Sequence, residues 1–137
     1  MNSNNNILGT VGYLILALHY FRNLSMVQQQ IIFIGYFFML SYYLFKLIKV
    51  NKQYESGLKI SYDIGRLLFI IYYFINIIDN KSYFYIWGLL GNLLYFTEYK
   101  KMSNYLLAIH YIVYGIHNTN NPDIMIASGI LASIYIN

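Results

Sequence analysis

The chain has 137 residues and a net charge of +4, with 58% hydrophobic and 10% charged residues. A soluble domain carries roughly 25% charged residues, so this composition leaves too little polar surface for a water-facing protein. Cysteine is absent, which excludes a disulfide framework, a thiolate metal site and a redox pair; the basic residues form no helical stripe, which argues against a nucleic-acid partner.

The chain opens on MNSNNN, a polar, uncharged tail over residues 1–6. It lacks the basic leading segment of a signal peptide, so the first apolar run is expected to be retained. That run, Ile7–Phe21, contains TVGY, the first four letters of the TVGYG potassium filter. A filter needs glycine after the tyrosine, because its backbone alternates unusual angles to line the pore with carbonyls. Leu14 stands there instead, so the match carries no channel chemistry. Further runs follow at Ile31–Val50, Ile64–Ile78, Tyr83–Phe96, Tyr105–Ile116 and Ile124–Ile136. Each is apolar on most faces, the pattern of helices in lipid or deep in a bundle. The predicted fold is an all-α integral membrane protein with about six short transmembrane helices, forming a single domain over 7–137. Several runs are shorter than the ~20 residues that cross ~30 Å of hydrocarbon. Flanking residues must extend them, the bilayer must thin, or some helices do not fully cross.

Loop charges support six crossings. With that count, one side holds Lys46, Lys49, Lys52, Lys59, Arg66, Lys100 and Lys101, and the other only Arg22 and Lys81. Basic residues gather on the cytoplasmic side, so both termini are expected there.

An internal repeat organises the runs. LALHY (Leu16–Tyr20) returns as LAIHY (Leu107–Tyr111), each in a helix followed by a short polar loop and a second helix with an early glycine. The expected architecture is three tandem αα-hairpins, at about 7–50, 64–96 and 105–136. Repeats of this kind are common in transporters. Gly9 and Gly12, Gly35, Gly88 and Gly91, Gly129 with Ser133, and Ser128 with Ala132 supply the small faces on which membrane helices pack.

Polar residues inside the runs are the candidate site. Arg66 is the most expensive of them, and Asp63, three residues earlier on the same face, is its expected partner. Asn92 lies mid-run and needs an interhelical hydrogen bond. His19 and His110 take repeat-equivalent places toward the outer face, and His117 with Asn118 ends the fifth run. Histidine titrates near neutral pH, but none of the three has a carboxylate within one turn, and the His110–His117 spacing is loose for one metal. No metal site or cofactor is expected. The pairs Tyr42–Tyr43 and Tyr72–Tyr73 suit core or interface packing, with an aromatic solute cleft as the sharper reading. The heavy use of tyrosine also fits an AT-rich coding sequence, without any function.

Three stretches together, GTVGYLILALHYFRN, SYDIGRLLFII and YGIHN (Tyr114–Asn118), resemble the bacterial inner-membrane YgjV family. The resemblance covers most of the chain. It departs at Tyr114, where the family pattern has tryptophan. It implies about six helices and marks Arg66, His117 and Asn118 as family features, but implies no reaction.

No nucleophile, zinc or nucleotide motif is present, so no enzyme is expected. The expected function is transport or conductance of a small solute or ion, with Asp63, Arg66, Asn92, His19, His110, His117 and Asn118 along the pathway. The alternative is a structural or scaffolding membrane protein acting through helix–helix contacts. The expected partners are the lipid bilayer and a second copy or another membrane protein.

Overall fold

Six α-helices and two short 3-10 turns make up the computed structural model, which describes residues 3–48 and 52–136; no strand occurs among them. The helices are α1 (Ser3–Phe21), α2 (Val27–Leu47), α3 (Glu55–Asn80), α4 (Ile86–Tyr95), α5 (Lys100–His117) and α6 (Pro122–Ile136). Lys49 and Val50 lie outside the described residues.

Helix ends depart from the apolar runs for local reasons. α1 begins within the polar tail, at Ser3. α3 begins nine residues before Ile64, because Glu55–Asp63 contains no proline and helix formation needs no apolar side chain. α3 stops where Lys81 adopts a left-handed φ of 54°, with the backbone N–H groups of Lys81 and Ser82 on the Asn76 carbonyl. The fourth run splits into a 3-10 turn, Tyr83–Tyr85, and the short α4.

Each helix packs on the one before and the one after it, and α6 returns to α1. No other pair of α-helices brings Cα atoms within 8 Å among the described residues. The arrangement is a closed ring in chain order. Contacts between hairpins (α2 on α3, α4 on α5) are as much a part of it as those within them. The centre is filled by side chains, above all tyrosine. Tyr13, Tyr20, Tyr36, Tyr43, Tyr72, Tyr73, Tyr85, Tyr111, Tyr114 and Tyr135, ten of the 17 tyrosines, are buried.

Against the expectation of about six crossing helices, two among the described residues, α2 and α3, are long and apolar enough to cross a membrane. α4 and α6 have only 10 and 15 residues. α1 and α5 are longer, but Asn4–Asn6 and the Lys100–Asn104 stretch dilute their apolar content. An apolar run marks a hydrophobic stretch, and the helix that carries it need not be long.

Glycines bring the ring together. A Cβ on Gly9 would stand 2.5 Å from the Tyr43 ring, on Gly12 2.7 Å from Leu131, on Gly35 2.8 Å from Phe69 and on Gly91 2.9 Å from Leu107. Each glycine thus admits a large side chain from the neighbouring helix. Ser128 and Ala132 are buried, and Ser133 turns its hydroxyl to the Ile130 carbonyl of its own helix. Gly129 departs from the packing expectation. It faces outward onto an open groove beside α5, with nothing within 4 Å of a Cβ position.

Gly88 meets two neighbours at once. Its Cβ would lie 2.7 Å from both His110 Nδ1 and the Tyr73 ring, and both rings are buried and cannot retreat. Gly88→Ala is expected to destabilise by about 1–3 kcal/mol through overpacking. Gly129→Ala is expected to be neutral or to stabilise by up to ~1 kcal/mol through helix propensity. Thermal unfolding of the two variants in detergent measures the difference, and equal losses would contradict this packing.

Candidate functional site

Arg66 lies on α3 with its side chain fully buried, at 0% exposure. A buried charge is costly unless it is paired or hydrogen-bonded, so the guanidinium needs partners. Nη1 donates to Asn92 Oδ1 of α4 at 3.0 Å. Nη2 donates to the Tyr135 hydroxyl of α6 at 2.5 Å and to the Tyr62 hydroxyl one turn back. The rings of Tyr62, Tyr95 and Tyr135 stand 4.6, 5.4 and 5.2 Å from the guanidinium carbon. Hydrogen bonds to a charged group contribute about 1.5–3 kcal/mol each, and a desolvated cation–π contact about 2 kcal/mol. This neutral shell meets the charge without a carboxylate. Only Nε has no partner.

Asp63 is not the partner of Arg66. Its Oδ1 accepts from the Tyr95 hydroxyl at 2.9 Å, and no ion pair joins it to Arg66 among the described residues. The three-residue spacing puts both on one side of α3, but Arg66 reaches to the centre of the ring while Asp63 stays half-buried. The carboxylate therefore acts through Tyr95, which lies between them. Asn92 is fixed by donating its own amide to the Gly88 carbonyl at 2.7 Å, which leaves its oxygen for Arg66.

From Arg66 a line of hydroxyls crosses the ring. Tyr135 and Tyr13 share a hydrogen bond of 2.7 Å, and Tyr13 and Tyr111 one of 3.0 Å. Further along α1 and α5 the hydroxyls of Tyr20 and Tyr114 are bonded to each other. His110 sits in the same interior. Its ring centroid is 4.7 Å from that of Tyr73 and 5.7 Å from that of Tyr114, and neither ring nitrogen has a partner.

The other histidines do not join this centre. His19 Nδ1 meets Asp123 Oδ2 at 2.7 Å, beside an outer pocket of about 720 Å³ that also includes Arg22 and Asn121. The repeat thus places its two histidines at different depths. α1 ends two residues after His19, whereas α5 continues seven residues past His110, which is buried rather than near the outer face. His117 is exposed and stacks on Phe84 at 4.4 Å. Asn118 donates to the Tyr114 carbonyl at 2.8 Å and closes α5. Among the described residues no three His, Asp or Glu side chains gather as a metal site.

At the end of the ring where α2 stops and α3 begins, a vestibule of about 540 Å³ is lined by Tyr42, Lys46, Glu55, Ser56, Lys59, Tyr62 and Tyr95. Tyr62 and Tyr95 separate it from Arg66. The sequence reading missed these two, along with Tyr13, Tyr135 and Asp123. Signals existed: Tyr62 is one turn before Arg66, and the pairs Tyr13–Tyr20 and Tyr36–Tyr43 keep a seven-residue spacing that holds one helix face.

Compared with known proteins, the chain matches no family model, no curated protein and no solved structure.

Two predictions follow the contacts. Asn92→Leu leaves a guanidinium donor unmet and should cost about 1.5–3 kcal/mol. Asp63→Asn keeps an acceptor for Tyr95 and should cost under about 1 kcal/mol. Unfolding in detergent measures both, and the reverse order would restore the Asp63–Arg66 pair. Asp123 opens α6, ahead of the apolar run at Ile124. Burial pushes its carboxyl up, but the His19 hydrogen bond and the Ile124 backbone amide pull it down, and the net value lies below the ordinary one. A depressed folded value means the contact stabilises at neutral pH and is lost as pH falls through the carboxylate range. NMR titration of Asp123 should show a low midpoint that returns toward the ordinary value of about 3.9 in His19→Ala.

Proposed function

We propose that this protein stands in a membrane as a ring of six helices and passes a small solute or ion through the polar interior of that ring. What supports this reading most directly is the inverted distribution of side chains. Arg66, Asn92, Ser103, His110 and Ser128 are buried. Ile7, Val11, Leu14 and Leu18 face out along α1, Phe37 and Phe45 along α2, Leu67, Ile71, Phe74 and Ile78 along α3, and Ile109, Ile112 and Ile116 along α5. Exposed apolar surface on this scale is interaction surface, and lipid is the partner that meets a ring on every side. Polar groups inside a membrane bundle mark solute and ion pathways. The short α4 and α6 are accommodated by local thinning of the bilayer. The lysine-rich end faces the cytoplasm, and both termini with it. Kinship with the YgjV family fits as part of the same proposal, since SYDIGRLLFII carries the residue at the centre of the ring.

A second reading, a structural protein that packs on a second copy or another membrane protein, has one surface in its favour. A groove of about 320 Å³ between α5 and α6, with Ile112, Gly115, Ile116, Met125 and the open Gly129, faces outward.

Reconstitution into liposomes separates the two. The first reading expects uptake or leak of a small solute or ion, reduced at least about tenfold by Asn92→Leu, a loss of ~1.4 kcal/mol or more at the site. No flux across a broad panel, together with crosslinked dimers abolished by Gly129→Leu, would establish the second reading instead. Termini accessible from the periplasmic or lumenal side would reverse the orientation.

A further inference from the structure

We propose that the inner vestibule binds a phosphate group, carried either by a soluble phosphate compound or by a lipid headgroup. This deepens the transport reading above by naming the solute class, and it rests on the charge balance around the cavity. Lys46 and Lys59 stand on the wall with Ser56. Arg66 lies behind the floor formed by Tyr62 and Tyr95, and Lys100 Nζ is 4.1 Å from the Tyr95 ring centroid. Against these four cations stand two carboxylates, Glu55 on the wall and Asp63 bound to Tyr95. No ion pair within 4.0 Å joins any of the four to either carboxylate among the described residues. The excess is two positive charges. A phosphate group near neutral pH carries about −1.5 to −2 and three strong acceptor oxygens, which matches both the excess and the ammonium and hydroxyl donors on the wall. A cleft lined by one sign of charge, with low-dielectric aromatic walls, concentrates the opposite ion.

Size narrows the ligand. The cavity of about 540 Å³ exceeds a bare phosphate. The remaining space is bounded by Tyr42, Tyr62 and Tyr95, whose rings stand 4.5 Å (Tyr42–Tyr62) and 5.2 Å (Tyr62–Tyr95) apart. Such a surface receives the organic part of a phosphomonoester or the glycerol of a lipid.

The test uses the full chain in neutral detergent, titrated calorimetrically with inorganic phosphate at constant ionic strength, and in nanodiscs of phosphatidylcholine with or without phosphatidic acid. Lys46→Gln combined with Lys59→Gln removes the wall charges at partly exposed or exposed positions, so folding is expected to survive. Lys81→Gln, at the far end, is the control. The proposal expects phosphate affinity to fall roughly tenfold or more in the double variant, the scale of one charge-assisted hydrogen bond, and to be unchanged in the control. A thermal shift from phosphatidic acid alone, lost in the double variant, supports the same site with a lipid as its source. No binding in either arm, or equal binding by wild type and double variant, overturns it. Binding in detergent needs no transport. Phosphate bound without uptake into liposomes supports the site and overturns the transport reading, whereas uptake that survives the loss of binding overturns the site.

Discussion

The guanidinium of Arg66 is a full charge held in the centre of six helices, and only neutral groups touch it. With no carboxylate on it, the charge must be met by hydrogen bonds and by the faces of aromatic rings. Asn92, Tyr135 and Tyr62 supply the bonds, and Tyr62, Tyr95 and Tyr135 supply the faces. These side chains come from α3, α4 and α6. Through Tyr135, the hydroxyls of Tyr13 and Tyr111 extend the network to α1 and α5. α2 joins by packing, with the rings of Tyr36 and Tyr43 5.9 and 5.7 Å from that of Tyr13. One charge therefore links helices that never meet backbone to backbone.

The perimeter follows from that centre. Tyrosine is long enough to span the middle of the ring and has one polar atom at its tip, so it fills space along its length and bonds at the end. A centre built this way needs close contact around the rim, and the glycines provide it. Gly9, Gly12, Gly35 and Gly91 each receive a large side chain from an adjacent helix. Hydroxyl clips add to this where helices touch, as when Ser103 donates to the Gly91 carbonyl at 2.6 Å and Ser61 to the Phe38 carbonyl at 3.1 Å. Large aromatic residues inside and glycine at the rim are two parts of one packing solution.

Much of this was legible in the sequence, and the rest was hidden for identifiable reasons. Apolar runs separated by short polar links gave the number and order of helices. Arg66 and Asn92 stood out because their cost in an apolar segment demands partners. The partners did not stand out. Tyrosine is ambiguous between interface, core and coding bias, and only the closed ring shows that most of these hydroxyls point inward. Asp63 was misassigned because sequence spacing gives the face of a helix but not how far a side chain reaches across a bundle. His19 and His110 were treated alike because the motif repeats, yet depth depends on where each helix ends. Asp123 falls between the fifth and sixth apolar runs and so was not among the candidates. Its contact with His19 joins residues far apart in the chain and depends on α6 closing back on α1.

The same tyrosines that hold Arg66 also shut it off from the vestibule between α2 and α3. Tyr62 accepts from the guanidinium while forming the floor of the cavity, and Tyr95 covers the guanidinium while donating to Asp63. Moving either ring aside strips Arg66 of part of its shell and leaves buried donors unmet, which is costly. The closed floor is thus the low-energy arrangement of the unliganded centre. In the phosphate-binding reading proposed above, an anion in the vestibule would offset part of that cost, because its oxygens would replace the acceptor that Tyr62 withdraws, and a ligand shifts an arrangement only by its differential interaction with it. A cation has no such interaction to offer a buried guanidinium.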